Sequence, residues 1–169
     1  MIIGIENDFS DAEFAALGKL VWSFTVLEHE LARAAMFLRY QVATFDKGES
    51  EVKIDDQVLK IAKGTLNGRF EAFISALKSA MPGPETEAWT LDASEKFKDG
   101  LRWRDRVCHG SWRRHEGKMT VRFFDRESLQ NEVDILPVPV TVQELGELSE
   151  TTLKWAVEIA MKSGTVAHE

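Results

Sequence analysis

The feature that most restricts what this chain can become is a helical stripe near its start. Leu17, Leu20, Phe24, Leu27, Leu31, Ala34 and Leu38 recur in alternating steps of three and four, which stacks them all on one face of an α-helix. A stripe of that length has to be covered by other elements. Ser10 or Asp8 can cap its start, and Glu13 follows Ser10 at the spacing of a capping box. The pattern predicts a helix from about Ser10 to about Thr44, ending before the polar DKGESE stretch.

A second apolar period runs through Ile54, Val58, Ile61, Leu66, Phe70, Phe73 and Leu77, with Gly64 and Gly68 inside it. Each glycine costs about 1 kcal/mol relative to alanine in a helix interior, so a kink or a close helix approach is expected there. The MPGP sequence from Met81 to Pro84 stops this helix. A third helix is expected to begin between Glu85 and Asp92 and to run to His109, with Gly110 as a left-handed cap. Its stripe reads Phe97, Leu101, Arg104, Cys108, and Cys108 is expected to be packed.

Beyond it the period changes to two. Met119, Val121 and Phe123 alternate with Thr120 and Arg122, and Val133 and Ile135 repeat the alternation. A small hairpin is expected, with LPVPV too proline-rich to be more than an edge strand. Thr141 and Glu144 form a second capping box. The helix it opens should turn Val142, Leu145, Ser149, Thr152, Ala156 and Ile159 inward. Four helices that each present one apolar stripe read as an all-α bundle with a short β insertion. With 169 residues and no linker or internal repeat, residues 1–169 read as one domain.

The net charge of −7 argues against broad electrostatic binding to nucleic acid or anionic membranes. Locally the sign reverses. Arg102, Arg104, Arg106, Arg113 and Arg114, with His109 and His115, face one acid, Asp105, between Leu101 and His115. Arg104 stands where the stripe wants a core residue, and a guanidinium cannot shed its proton. Glu28 makes a matching exception at the edge of the first stripe. The two are expected to face each other or a shared cavity. A structural ion pair, or an arginine reaching back to solvent, explains the same pattern.

The stretch LRWRDRVCHGSWRR resembles the signature of the HEPN family: an arginine, a polar residue, and a histidine after four to six intervening residues. Arg104, Asp105 and His109 supply it, and Cys-His-Gly-Ser-Trp resembles the Ala-His-Gly-x-Trp continuation of bacterial members. Arg102 also satisfies the spacing, so the choice of arginine stays open, with Asp105 favouring Arg104. The resemblance implies an antiparallel four-helix bundle of HEPN type, with a small β-hairpin insertion between helices three and four. It also implies a homodimer that brings two Arg–His pairs together.

Many HEPN proteins are metal-independent ribonucleases, often toxins or defence effectors. In that case the substrate is RNA and a protein antitoxin or regulator is a further expected partner. His109 would be the general acid or base, since free imidazole titrates near 6.5. Arg104 would stabilise charge on the phosphoryl oxygens, Asp105 would orient the imidazole, and Glu28 completes the candidate catalytic group. Arg102, Arg106, Arg113 and Arg114 would hold the RNA backbone, and Trp112 would stack on a base. Some HEPN-like domains are instead non-catalytic modules for dimerisation or partner binding.

No cofactor or metal is expected. His29-Glu30 begins like an HExxH helix, but Arg33 occupies the second histidine position. One cysteine and four scattered histidines give no zinc spacing. No apolar run suits a membrane span, and the acidic N-terminal stretch does not read as a signal peptide. The lone cysteine fits a reducing compartment, and the cytoplasm is the expected location.

Overall fold

The structure is a computed structural model that describes residues 9–46, 61, 64–122 and 137–164. It is mostly helical, with four helices and a small antiparallel sheet among the described residues. Helix α1 spans Asp11–Gln41 and ends in a π-helical turn, Val42–Asp46. Helix α2 spans Leu66–Ala80, α3 spans Pro84–His109, and α4 spans Val142–Gly164. Strands β1 (Ser111–His115), β2 (Lys118–Arg122) and β3 (Val138–Pro139) lie between α3 and α4 in the chain.

Helix α1 starts where its capping box places it. The Glu13 N–H donates to Ser10 Oγ at 3.3 Å, and the Ser10 N–H donates to Glu13 Oε2 at 2.7 Å. Leu20, Phe24, Leu27, Leu31, Ala34 and Leu38 are buried as their spacing demands, with Leu17 half-buried at the rim. This face packs chiefly against α4 and α2. Leu31 has no exposed surface, so truncation to alanine is expected to cost about 2–5 kcal/mol. Small residues let α4 come close: Ser149 is fully buried and its Oγ donates to the Lys19 carbonyl at 3.4 Å.

The second apolar period does not make one helix across Gly64. Residues 64–65 are not helical, and α2 begins at Leu66 with Thr65 as its cap, the Gly68 N–H donating to Thr65 Oγ1 at 3.2 Å. Gly68 is thus a first-turn residue, neither a kink nor a point of close helix contact. A threonine hydroxyl three residues ahead of a free N–H competes with the helix that would otherwise continue. Ile54 and Val58 lie outside the described residues, while Ile61 is buried.

Met81 closes α2, and Pro84 opens α3 at its first position, one residue ahead of the expected window. Phe97 is the hinge of the packing around α3. It stacks on Phe70 of α2 at 3.9 Å between centroids and on Trp155 of α4 at 6.4 Å. Trp89 Nε1 donates to Glu158 at 2.7 Å, tying the start of α3 to α4.

Gly110 ends α3, but with an extended backbone (φ −73°, ψ 151°) in place of the expected left-handed one. Its lack of a side chain is required for another reason. A Cβ there would sit 2.2 Å from the Arg106 carbonyl oxygen and 2.5 Å from Val121 Cγ2. The glycine lets the sheet close directly onto the end of α3.

The expected hairpin exists with a different partner. Strand β2 pairs with β1, so the basic segment after His109 is itself a strand. The turn is Glu116-Gly117, both with positive φ (49° and 75°), which is the geometry two-residue hairpins favour. Phe123, Val133 and Ile135 lie outside the described residues. Strand β3 is at the edge of the sheet, as Pro139 requires.

The second capping box forms: the Thr141 N–H donates to Glu144 Oε2 at 2.7 Å, and the Glu144 N–H to Thr141 Oγ1 at 3.1 Å. Leu145, Ser149, Thr152, Ala156, Ile159 and Ser163 are buried along α4. Val142, expected inward, is exposed because it precedes the packed part of the helix. Among the described residues, no helix is long and apolar enough to cross a membrane.

Candidate functional site

The last turns of α3 carry Arg104, Asp105 and His109, and Arg104 faces α1 beside Leu101 and Val107, which pack against the core. Arg104 and Glu28 meet, as their two exceptions to periodicity implied: Arg104 Nη2 donates to Glu28 Oε1 at 3.5 Å. Arg104 Nη1 donates to Asp105 Oδ1 at 3.2 Å and lies 3.3 Å from His109 Nε2. A guanidinium only donates, so that last contact uses Nε2 as an acceptor and places the ring proton on Nδ1. Successive helical residues are about 100° apart, so Arg104 and His109 do not share a face. The length of the arginine side chain closes the gap.

Glu28 holds a second cation. Arg69 Nη1 of α2 donates to Glu28 Oε2 at 3.4 Å. The carboxylate therefore lies between two guanidinium groups where α1, α2 and α3 converge. Side-chain exposures of 18% for Arg69, 23% for Glu28 and 27% for Arg104 place the group at the protein–water boundary. His109 is exposed. Partial burial opposes the charge on Arg104, but the hydrogen bond with Asp105 and the nearby Cys108, Glu28 and Asp105 outweigh it and raise the guanidinium pKa.

Arg69 went unread in the sequence although a signal was there. It follows Leu66 by three and precedes Phe73 by four, the same stripe-edge position that singled out Glu28. The partnership of Asp105 also differs from expectation, since its carboxylate is engaged with Arg104. Cys108, expected to be packed, is exposed. The stripe that predicts its burial continues past the point where neighbouring helices cover α3.

The remaining arginines take no part in the contacts that join Arg104 to Glu28, Asp105 and His109. Arg102 and Arg106 lie two residues to either side of Arg104, about 160° around the helix from it. Arg102 approaches Asp99 at 3.9 Å, and Arg106 lies over the Trp103 ring at 5.1 Å. Arg114 on β1 is engaged in the fold: it donates to Glu13 at 2.7 Å and to the Gly117 carbonyl at 2.9 Å, and it covers the Phe9 ring. Trp112 is half-buried against the core, with Nε1 donating to the Val107 carbonyl at 3.4 Å. Arg113 is exposed on β1.

Chemically, the cluster offers an exposed imidazole beside a guanidinium held by long contacts to its carboxylates. An anion with several oxygens competes well for such a fork. Among the described residues, no group of three or more His, Cys, Asp or Glu is gathered as a metal would need. Compared with protein-family models, curated proteins and solved structures, the chain matches none of them.

Proposed function

We propose that this chain is a HEPN-type endoribonuclease, an antiparallel four-helix bundle that acts as a homodimer and cleaves RNA without a metal. The observation that carries the reading is the 3.3 Å approach of Arg104 Nη1 to His109 Nε2 at the exposed end of α3. In the free protein Arg104 occupies the imidazole acceptor that a base would use. A phosphodiester arriving at the cluster draws the guanidinium onto its oxygens and leaves Nε2 available for proton transfer.

The step is an intramolecular displacement. The ribose 2′-oxygen attacks the adjacent phosphorus as its proton passes to a base. The bond from phosphorus to the 5′-oxygen breaks, and that oxygen takes up a proton. The products are a 2′,3′-cyclic phosphate and a 5′-hydroxyl. His109 moves the proton, Arg104 stabilises charge on the phosphoryl oxygens, and Glu28 and Asp105 hold Arg104 in place before substrate arrives. The exposed Arg113 on β1 would follow the RNA backbone. A toxin or defence role, with a protein antitoxin as regulator, is part of the same reading.

One observation favours a second reading. Arg104 is engaged by both Glu28 and Asp105, as in an ion-pair network that only joins helices, and a non-catalytic dimerisation or partner-binding module would use it that way. Incubating RNA with wild type and His109→Ala in the presence of EDTA separates the two. The nuclease reading expects cleavage by wild type alone, with both proteins folded. Intact RNA with folded wild type, or equal cleavage by both, contradicts it.

A further inference from the structure

Strands β1 and β2 sort their side chains onto two faces, because residues paired directly across a ladder point the same way. Trp112, Arg114, Met119 and Val121 form the inner face. Met119 and Val121 are buried, Trp112 packs against the core, and Arg114 reaches Glu13 of α1. The outer face carries Ser111 paired with Arg122, Arg113 with Thr120, and His115 with Lys118. Arg113, His115, Lys118 and Arg122 are all exposed. Between Ser111 and Arg122 stand four Lys or Arg against one acid, Glu116, on a chain of net charge −7.

The charge on this face is not neutralised from within the fold. Among the described residues no carboxylate pairs with Arg113, Lys118 or Arg122, and His115 approaches Glu116 only at 4.0 Å. Because Arg113 pairs with Thr120, Lys118 and Arg122 sit on its two diagonals. Diagonal neighbours on a sheet are about 7–8 Å apart, close enough for like charges to repel. Thr120 Oγ1 donates to the Arg113 carbonyl at 3.0 Å, which braces the strands and keeps that spacing. A polyanion laid across the face relieves the repulsion.

We propose that the outer face of this sheet is a docking surface for single-stranded RNA, holding the phosphates that flank the bond to be cut. Two observations select the occupant. His109 is exposed at the end of α3, and only Gly110 separates it from β1, so the basic face follows directly on the imidazole. The outer positions include no aliphatic side chain and no Phe, Tyr or Trp. Protein interfaces depend on buried anchors of that kind, and amphipathic membrane surfaces insert them. Phosphate contacts need only fixed positive charge. The choice of RNA rests on the nuclease reading, whereas the choice of a phosphate backbone rests on the face itself.

Fluorescence anisotropy of the whole chain with a labelled 2′-O-methyl RNA single strand tests this, since that probe keeps the phosphates and has no 2′-hydroxyl to attack. Salt-dependent binding is expected, weakened about tenfold or more when Lys118→Ala and Arg122→Ala are combined. The slope of log affinity against log salt should fall by about 0.7 for each phosphate contact removed. Arg113→Gln, a second variant at an exposed position, should weaken binding in the same way. Lys154→Ala, which removes an exposed cation of α4, should not. Failure of the folded chain to bind at low salt overturns the proposal, as do sheet variants with wild-type affinity and slope. Displacement of the probe by polyglutamate at equal charge also overturns it and assigns the face to an acidic protein. Binding that is lost in the sheet variants while wild type cuts no RNA sinks the nuclease and keeps this surface. Unaltered binding alongside active cleavage does the reverse.

Discussion

Two flanks of one helix treat their arginines in opposite ways. On the flank facing α1 and α2, Arg104 is gripped by Glu28 and Asp105, with Arg69 sharing the same glutamate. On the flank facing α4, Arg106 rests on an indole and Arg102 barely reaches an acid. Three arginines separated by single residues thus enter two different environments, because each step along a helix turns the side chain by about 100°. Clustering in sequence does not make one basic patch.

Between the two flanks, the largest expected effect comes from breaking the gripped one. Arg104→Ala leaves the partly buried Glu28 with Arg69 alone, and is expected to cost about 1–3 kcal/mol in urea unfolding. Under the nuclease reading it also lowers RNA cleavage by roughly 10²–10³-fold. Arg102→Ala, on the other flank, should leave unfolding within about 0.5 kcal/mol of wild type. Equal losses for the two variants would erase the contrast.

Gly110→Ala strikes where both flanks end. The added methyl meets the Arg106 carbonyl and Val121, so a loss of about 1–3 kcal/mol is expected, read as a lower thermal midpoint. An unchanged midpoint would mean that the sheet is not seated on α3 as described.

Glu28→Gln keeps the shape and removes the charge shared by two arginines. It is expected to destabilise by about 1 kcal/mol, and combining it with Arg69→Ala should cost less than the sum of the separate changes. Strict additivity in that double-mutant cycle would show that the two residues do not interact.

The smallest effect concerns the tether between sheet and α1. The Glu13 carboxyl is held below its ordinary value, chiefly by the Ser10 backbone N–H, with Arg114 adding to it. A carboxyl depressed in the folded state stabilises above its unfolded pKa, and the contribution disappears as pH falls through the folded value. Glu13→Gln should therefore be less stable than wild type at neutral pH, with the gap in thermal midpoint closing in acid. A gap that widens in acid would have the wrong sign.

Much of this was legible in sequence where the cause is local. The α1 stripe, both capping boxes and the stop at MPGP follow from spacing within a few residues. So did the meeting of Glu28 with Arg104, because a charge on an apolar face needs a partner and each stripe offered one. The break at Gly64 was misread because an apolar period crosses a cap without interruption, and only the Thr65 hydroxyl decides that a new helix begins. The partner of β2 was missed because Ser111–His115 has no apolar alternation; its pairing comes from the Glu116-Gly117 turn. Cys108 and Val142 failed together, since periodicity reports which way a residue faces and not whether a neighbour reaches that far along the helix.

The most direct test of the paired guanidinium and imidazole at the end of α3 is an end-group measurement. A defined single-stranded RNA, alongside the same strand with a 2′-deoxy sugar at the cut position, is incubated with the chain in EDTA and its fragments are weighed by mass spectrometry. Fragments ending in 2′,3′-cyclic phosphate, none from the deoxy strand and none with His109→Ala, are the expected result. Cutting of the deoxy strand, or uncut RNA with folded wild type, would contradict it.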